Sequence, residues 1–337
     1  MKAEPGRNLT SRDVAVIAGV SQATVSRVLS GAAHVSEATR SRVLAVLEET
    51  GYVPNTAARV MRARASGVIG VVVGRVTSPF YPEILDHLAD AIAARGRLMS
   101  VWISEAAEEG GTLDAIDHGA VDGFVFMTAT ADSRSLQAAQ RRGSPIVLAN
   151  RPLPGFPSDQ VVADSPAGGA AIARHFLDGD RARIGMVGGP GELPIIAERE
   201  AGFVAELQRA GRALEDRFSA RGTLSHGEGY RSMRELLAGA VAPDAVFCVN
   251  DVVAMGAIDA ARELGIRVPE DVWVAGFDGI QMSSWGAYSL TTVRQPMEAI
   301  AEGAVAYVVE RIEGTAQADP RELRLPGELV IRRSTGG

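Results

Sequence analysis

The sequence predicts an α/β protein that begins with a small helical domain. Residues 10–51 carry the start and end signals of three short helices, and from Val68 onward apolar runs rich in β-branched residues alternate with helix-length segments. The chain has 337 residues, enough for two or three domains that each bury a core. Its hydrophobic content of 46% and charged content of 22% exclude a disordered or collagen-like protein.

Charge is distributed unevenly along the chain. The whole sequence carries 34 Lys+Arg and 41 Asp+Glu, a net charge of −7, but its first 67 residues hold nine basic and five acidic residues. The head is therefore +4, and the remainder, with 25 basic and 36 acidic residues, is −11. A basic domain on an acidic body is the asymmetry expected when one domain faces a polyanion such as DNA.

The compartment follows from what the sequence lacks. Cys248 is the only cysteine, so it has no partner for an internal disulfide. The first residues contain no apolar leader, and no run of about 18 apolar residues occurs that would span a bilayer. We therefore expect a cytoplasmic protein.

Capping residues predict the three N-terminal helices. Thr10 and Asp13 form a capping box for the first helix, Ser21 caps the second and Ser36 caps the third. Glycines are expected to end these helices, at Gly19, Gly31 and near Gly51. The expected inward side chains are apolar and helically spaced: Val14, Ile17, Ala18, Val25, Val28, Leu29, Val43, Leu44 and Leu47. The turn at Gly19 indicates a helix-turn-helix, and a plain three-helix bundle is the alternative.

The N-terminal part of the second helix has a polar outward face, as a helix that meets base edges and phosphates requires. The runs DVAVIAGVSQATVSRVLSG and VSEATRSRVLAVLEETGYVPNTAARVMR closely resemble the headpiece of the lactose-repressor (LacI/GalR) family of bacterial transcription regulators. The likeness continues along the whole chain. It implies that Gln22 and Ala23 are the main base-reading residues, Ala23 through apolar contact alone. The expected DNA-binding residues are Thr10, Ser21, Gln22, Ala23, Thr24, Ser26, Arg27, Asn55, Ala57, Arg59 and Met61.

Residues 55–67 are expected to form a hinge helix and linker between the headpiece (1–54) and the body (68–337). Asn55 caps a helix that is too short to be stable alone. In the family this helix orders on DNA beside its twin and wedges a leucine into the minor groove. Met61 stands at that position, and the small Ala57 and Ala58 would let paired helices approach closely. A flexible linker is the alternative.

The body contains seven apolar runs that predict buried parallel strands: VIGVVV, LMSVWI, GFVFM, PIVLA, RIGMVG, AVFCV and VWVAGF. Helix-length segments such as 82–95, 167–177, 198–210 and 252–264 separate most of them, which predicts a doubly wound sheet with right-handed crossovers. The resemblance implies two Rossmann-like lobes of the periplasmic-binding-protein type. We place the first lobe at about 68–160 and 292–322 and the second at about 161–291 and 323–337. The three crossings between lobes are expected near 159–162, 290–293 and 321–325.

The sequence carries no catalytic or cofactor motif. The glycine-rich stretch 185–191 follows a strand, but Pro194 stands at the third glycine of a dinucleotide fingerprint, and Lys2 is the only lysine, so no phosphate-binding P-loop exists. The five histidines lack metal-ligand spacing, and neither G-x-S-x-G nor H-E-x-x-H occurs. We expect a binding domain with no enzyme activity, no cofactor and no metal.

A ligand is expected between the lobes, at the carboxyl ends of the strands. The resemblance implies a set of effector-binding residues: Phe80, Tyr81, Arg151, Asp164, Arg199, Asn250, Asp278 and Trp285. Asn150 stands before Arg151 where the family usually has aspartate. Amide, carboxylate and guanidinium groups beside aromatic rings suit a polyol, that is, a sugar or sugar derivative. The plain alternatives are a turn cap for Asp278, a core position for Phe80 and a surface position for Arg199.

The sequence thus predicts a ligand-controlled transcriptional regulator, most simply a repressor of carbohydrate-related genes. It would bind a pseudo-palindromic operator as a homodimer, and its effector would change operator affinity as an inducer or as a corepressor. Two other classes are a sugar-binding solute-binding protein without a transcriptional role and an α/β enzyme with a helical appendage. The basic three-helix head favours the regulator over both.

Overall fold

The computed structural model describes residues 9–29, 35–52, 66–74, 76–103, 110–117, 119–128, 130 and 132–337. The chain divides into two compact units, Met1–Ala65 and Ser66–Gly337, called here the headpiece unit and the body. No helix within the described ranges is both long enough and apolar enough to cross a membrane.

The headpiece unit contains α1 (Ser11–Ala18), α2 (Gln22–Leu29) and α3 (Glu37–Thr50). Thr10 and Asp13 form the expected capping box, and the Ser36 hydroxyl accepts the Thr39 N–H at the start of α3. Gly19 and Gly51 end α1 and α3 with φ of 63° and 61°, values that glycine adopts without strain. Gly31, expected to end α2, lies outside the described residues.

The headpiece core differs from the expectation at three positions. Its buried side chains are Val14, Ala15, Ala18, Val25, Val28, Val43 and Val46. The sequence predicts that Ile17, Leu29 and Leu44 point inward, but all three are exposed. In α3 the inward apolar face has the spacing i, i+3 and i+4 and consists of residues 43, 46 and 47. Residue 44 lies ~100° around the helix from residue 43 and therefore falls outside this face. In α1 the small Ala15 takes the inward place beside Val14.

The body alternates strands and helices in the order β1 (Val68–Val73), α4 (Phe80–Ala93), β2 (Leu98–Ile103), α5 (Gly110–Asp117), β3 (Gly123–Phe126), α6 (Arg134–Arg141), β4 (Ile146–Ala149), β5 (Asp159–Ala163), α7 (Ser165–Asp178), β6 (Ile184–Gly188), α8 (Pro194–Arg209), β7 (Ser219–Arg221), α9 (His226–Leu237), β8 (Ala245–Cys248), α10 (Asp251–Glu263), β9 (Trp273–Asp278), β10 (Thr291–Arg294), α11 (Met297–Glu313), β11 (Glu322–Leu325) and β12 (Glu328–Val330). Short 3-10 helices lie at Asp216–Phe218, Gln281–Ser284 and Arg333–Thr335. Six of the seven predicted apolar runs contain one of these strands, and the seventh, VWVAGF, overlaps β9, which extends one residue further to Asp278.

Two sheets organise the body. The first has the strand order β11-β5-β4-β3-β1-β2 and is parallel throughout. The second has the order β12-β10-β9-β8-β6-β7, and only β12 runs antiparallel to its neighbour. We call the parts built on these sheets the first and second lobes. Helices cover both faces of each sheet, which explains why most strands are apolar on both sides.

The crossings between the lobes come later in the chain than expected. The segments 159–162, 290–293 and 321–325, predicted to be connections, form most of β5, β10 and β11. Each segment forms a strand in the lobe that the chain is about to leave. The chain crosses to the other lobe only after that strand, at 164, 295–296 and 326–327. Strand pairing satisfies backbone hydrogen bonds that an exposed connection would leave to water, so the connections are short.

Strand β2 departs from the predicted burial. It lies at the edge of the first sheet, and Leu98, Val101 and Ile103 are exposed. The apolar run LMSVWI is therefore an edge strand with an uncovered apolar surface, and it is not a strand buried on both faces.

Candidate functional site

The N-terminal part of α2 presents a polar surface. Ala23, Ser26 and Arg27 are exposed, in agreement with the outward positions expected for them. The Ser21 hydroxyl accepts the Thr24 N–H at 3.1 Å and lies 2.8 Å from the Thr24 hydroxyl. These bonds fix the start of the helix, where free N–H groups and the helix dipole favour a phosphate.

Gln22 is half-buried at the same surface and is tied to the preceding helix. Its Nε2 donates to the Ser11 hydroxyl at 2.9 Å. Thr10 is exposed, and its hydroxyl takes part in the capping box with Asp13. The other expected DNA-binding residues, Asn55, Ala57, Arg59 and Met61, lie outside the described residues.

The strand orders place a crevice in each lobe. Both follow the pattern in which the second strand lies on one side of the first and the later strands on the other: β2-β1-β3-β4-β5 and β7-β6-β8-β9-β10. In such sheets ligands bind outside the carboxyl ends of the strands, at the point where the order reverses. Tyr81 follows β1, Arg151 follows β4, Asn250 follows β8 and Asp278 ends β9, so each comes after the carboxyl end of a strand or closes one.

Arg199, Asp278 and Gln295 form a buried polar cluster in the second lobe. The Asp278 Oδ1 atom accepts from Arg199 Nη2 at 2.9 Å and from Gln295 Nε2 at 2.8 Å. Arg199 is only 3% exposed, and its guanidinium also donates to the Val249 carbonyl at 2.8 Å and lies 4.0 Å above the Phe277 ring. Arg199 is therefore not a surface residue of α8, and Asp278 does more than cap a turn.

Close helix packing holds Arg199 in place. Gly169 on α7 lies against the Arg199 backbone, and a Cβ built at Gly169 would come 2.1 Å from the Arg199 carbonyl oxygen. Gly202 makes the matching approach, because a Cβ there would come 2.0 Å from the Pro166 oxygen. Only glycine at these two positions allows α7 and α8 to approach so closely.

Tyr81 and Arg151 bring the first lobe into this cluster. Burial raises the pKa of the Tyr81 phenol, the Arg151 and Arg199 guanidiniums lower it, and the Asp278 carboxylate raises it. The Tyr81 phenol of the first lobe thus interacts electrostatically with Arg151 of its own lobe and with Arg199 and Asp278 of the second. These four residues are among the eight expected effector-binding residues.

Burial also shifts the pKa of two carboxyls in the second lobe. Asp278 is 6% exposed, and burial raises its pKa, although Arg199 and Gln295 oppose the shift. Asp251, fully buried behind it, has a pKa raised well above the ordinary value by burial and by the charge of Asp278. Its carboxylate accepts from the Thr292 hydroxyl at 2.5 Å and from the Ile280 N–H at 2.9 Å. Asp251 thereby anchors the turn that follows β9.

Several buried polar atoms here lack a hydrogen-bond partner among the described residues. They are Asn150 Oδ1, Arg151 Nε, Ser165 Oγ, Arg199 Nε and Gln295 Oε1. Four of them belong to residues that follow the carboxyl ends of β4, β5 and β10, and Arg199 belongs to the cluster described above. An unpaired buried polar atom costs about 1–3 kcal/mol, so a set of them after the carboxyl ends of the strands makes this region a candidate ligand-binding site.

The remaining expected residues have other roles in the structure. Phe80 is buried in the apolar core of the first lobe. Asn250 and Asp164 cap α10 and α7, where their side-chain oxygens accept the N–H groups of Val253 and Ala167. Trp285 is 51% exposed.

Sequence reasoning did not assign Gln295 or Ser165 to the site. Both follow strands, β10 and β5, at their carboxyl ends. The signal that could have identified them is a polar side chain directly after an apolar strand. It was not usable for Gln295, because the sequence predicts a connection between the lobes at 290–293 instead of a strand. Among the described residues no group of His, Cys, Asp and Glu is arranged to hold a metal ion.

A contact beside the cluster joins the two lobes. The Glu83 carboxylate on α4 accepts the Gln281 N–H, with its two oxygens at 2.9 and 3.1 Å. Burial raises the pKa of Glu83, the bond from Gln281 lowers it and Asp278 raises it. This contact is therefore a direct hydrogen-bonded connection between the two lobes.

Comparison with known proteins covers both units. Residues 10–55 match the model of bacterial regulatory proteins of the lacI family, and residues 173–335 match a periplasmic binding protein-like domain. The HTH-type transcriptional repressor CytR of Escherichia coli strain K12 is 33% identical over 330 residues, covering 97% of this chain and 96% of CytR.

Two solved structures are similar along nearly the whole length. A transcriptional regulator CelR–cellobiose complex has a TM-score of 0.75 at 30% identity and covers 97% of this chain and 99% of its own. The Lac repressor dimer bound to operator and the anti-inducer ONPF has a TM-score of 0.86 at 25% identity, covering 98% and 99% of the two chains.

Proposed function

Because the chain belongs to the LacI family of bacterial regulatory proteins, we propose that it is a homodimeric repressor controlled by a sugar or sugar derivative that binds between its lobes. The chain is a DNA-binding transcriptional regulator. We further propose that its operator is pseudo-palindromic, that its effector is a sugar or sugar derivative, that it is located in the cytoplasm, and that it acts by binding without catalysis.

Buried donors and acceptors that lack a partner among the described residues carry the effector assignment. Arg151 Nε and Asn150 Oδ1 belong to the first lobe, and Arg199 Nε and Gln295 Oε1 belong to the second. A hydroxyl both donates and accepts, so the hydroxyls of a polyhydroxylated ligand can satisfy atoms of both kinds. A ligand that bonds to both lobes stabilises one lobe arrangement over the other. The cellobiose bound to the similar CelR supports a sugar.

The DNA-binding role is supported by the exposed polar face of α2. Gln22 and Ala23 lie at its start, with Ser26 and Arg27 one turn further on. The similar Lac repressor is a dimer bound to operator, which supports a two-fold arrangement of headpieces on a pseudo-palindromic site.

Asp164 and Asn250 are also proposed to contact the effector. They would do so through the side-chain atoms that do not accept the N–H groups of the helices they cap.

The uncovered edge of the first sheet is the surface we assign to dimerisation. Leu98, Val101 and Ile103 on β2 expose apolar side chains at a strand edge, which natural proteins normally cover. A second copy of the chain would cover this surface.

The proposal is tested by selection of genomic fragments with the purified full-length protein, followed by binding at two salt concentrations. We expect enrichment of a two-fold palindrome that is bound at least ~1,000-fold more tightly than bulk DNA. Thermal shifts with a panel of sugars, including ribose and cellobiose, and of purine and pyrimidine bases then identify the effector class. Enrichment of no palindrome would refute the proposed operator geometry, and a response to bases but no sugar would refute the effector class.

A further inference from the structure

The hydrogen bond between Gln22 and Ser11 restricts what Gln22 can offer to a base. Ser11 is the first residue of α1 and Gln22 the first residue of α2, and both side chains are half-buried. Gln22 Nε2 donates one N–H to the Ser11 hydroxyl at 2.9 Å. Among the described residues nothing else bonds to the Gln22 side chain, so Oε1 and the second N–H remain for DNA.

Ser11 is itself held firmly. The adjacent Thr10 caps α1, and Asp13 closes the capping box by accepting the Thr10 N–H at 2.8 Å and hydroxyl at 2.7 Å. The start of α1 is thereby fixed, and with it the backbone that carries the Ser11 side chain. The bond to Ser11 gives the flexible Gln22 side chain a defined orientation at the start of α2. Gln22 therefore loses less conformational entropy on binding DNA than an unrestrained glutamine would.

The bases differ in what they require from a glutamine. Adenine presents an acceptor, N7, beside a donor, the N6 amino group, and pairs with one N–H and one carbonyl oxygen of an amide. Guanine presents two acceptors, N7 and O6, and requires two N–H groups. An unconstrained glutamine can supply either pattern because its amide carries two N–H groups and an oxygen.

We infer that Ser11 is a positioning residue that biases Gln22 toward adenine and against guanine, through the hydrogen bond between their side chains. With one N–H committed to Ser11, Gln22 retains the one-donor, one-acceptor pattern of adenine. This inference rests on the proposed function, because it assumes that Gln22 contacts a base.

The test compares full-length variants on the selected operator and on derivatives with each base at the position that Gln22→Ala identifies. We expect wild type to prefer adenine over guanine by on the order of tenfold. Ser11→Ala should reduce that ratio severalfold, chiefly through tighter binding of the guanine operator, since the released N–H can now bond to O6. Ser11→Thr keeps the hydroxyl and should preserve the ratio.

Two further variants separate positioning from a general structural effect. In a Gln22→Ala background, Ser11→Ala should leave the base ratios unchanged, because the amide it acts on is absent. Ser41→Ala, an exposed serine on α3, is the matched control and should alter neither affinity nor ratio. Far-UV circular dichroism confirms that each headpiece is folded.

The possible results distinguish a failure of the Ser11 positioning role from a failure of the proposed function. A wild-type preference for guanine, or a Ser11→Ala variant that loses affinity equally for all four operators or keeps the wild-type ratio, would overturn the positioning role while leaving the proposed function intact. A wild-type protein that enriches no sequence would overturn the proposed function, and the positioning role with it.

Discussion

Replacement of Asp278 by asparagine separates the binding role of this residue from its structural role. Among the described residues the carboxylate accepts side-chain hydrogen bonds, from Arg199 and Gln295, only at Oδ1, and we propose that Oδ2 accepts a bond from the ligand. An asparagine side chain would keep the shape but remove the charge that faces the buried Arg199. Breaking a buried ion pair by removing one partner costs about 3–5 kcal/mol. Because burial raises the pKa of Asp278, folding favours its uncharged form, so loss of the charge offsets much of this cost, and we expect the free energy of unfolding to fall by less than ~2 kcal/mol.

Asp159 provides a matched control at the other end of the first sheet. It begins β5, at the amino end of the strand, and is fully buried between Arg311 and Arg321, whose guanidiniums donate to it at 2.8–3.3 Å. Burial alone would raise its pKa, but these bonds outweigh that effect and lower the pKa to about 2 from 3.8. With allowance for solvent screening, because the two arginines are 23% and 24% exposed, this pKa difference corresponds to about 2 kcal/mol.

The assay measures two quantities for both variants. Urea denaturation gives the free energy of unfolding, which should fall by about 2 kcal/mol in Asp159→Asn and by less in Asp278→Asn. Calorimetric titration with the sugar that stabilises wild type should show that Asp278→Asn loses at least ~10-fold in affinity and that Asp159→Asn does not. Wild-type sugar affinity in Asp278→Asn, or an equal loss in both variants, would refute the assignment of Asp278 to the effector site.

The two carboxyls also predict opposite pH dependence. The pKa of Asp159 is lowered on folding, so its contribution to stability is present above 3.8 and is lost as the pH falls toward 2. The pKa of Asp278 is raised, so its contribution is fully present below the unfolded pKa and is lost as the pH rises through the folded value. Acidification from pH 6 to pH 3 should therefore shrink the difference in unfolding free energy between wild type and Asp159→Asn.

Three further substitutions test the packing, the dimer and the DNA contact. Gly169→Ala should destabilise the body by about 1–3 kcal/mol and weaken effector binding, because its Cβ would force α7 away from Arg199; urea denaturation and titration measure both. Val101→Glu should convert dimer to monomer in sedimentation velocity at micromolar concentration with an unchanged circular dichroism spectrum, and a persistent dimer would exclude β2 from the interface. Arg27→Ala should weaken binding to all operators alike and lower the slope of log affinity against log salt by about 1, whereas a change in base preference would contradict a phosphate contact.

Local signals predicted the regular elements well. The capping box at Thr10, the glycine ends at Gly19 and Gly51, and the seven apolar runs depend on residues close in sequence, and the structure confirms them. The inward orientation of Ile17 and Leu44 was wrong because short amphipathic helices leave the edge of the apolar stripe undefined until a partner packs against it.

The site was harder to predict because its members are distant in the sequence. Arg199, Asp278 and Gln295 meet only through the topology of the second lobe, and periodicity carries no information about that meeting. Asparagine and aspartate also serve equally well as helix caps and as ligand contacts, so their residue type did not distinguish Asn250, a cap in the structure, from Asp278. The family resemblance supplied the candidates, and the geometry separated those that converge from those that cap or fill the core.

The three crossings between lobes also bear on how the protein is made. The first sheet takes its outermost strand, β11, from residues 322–325, and the second takes β12 from residues 328–330. Translation must therefore pass residue 325 before the first sheet is complete and residue 330 before the second is complete. During synthesis the earlier strands remain unpaired at one edge until these residues have emerged from the ribosome, so the demand for chaperones should persist until then.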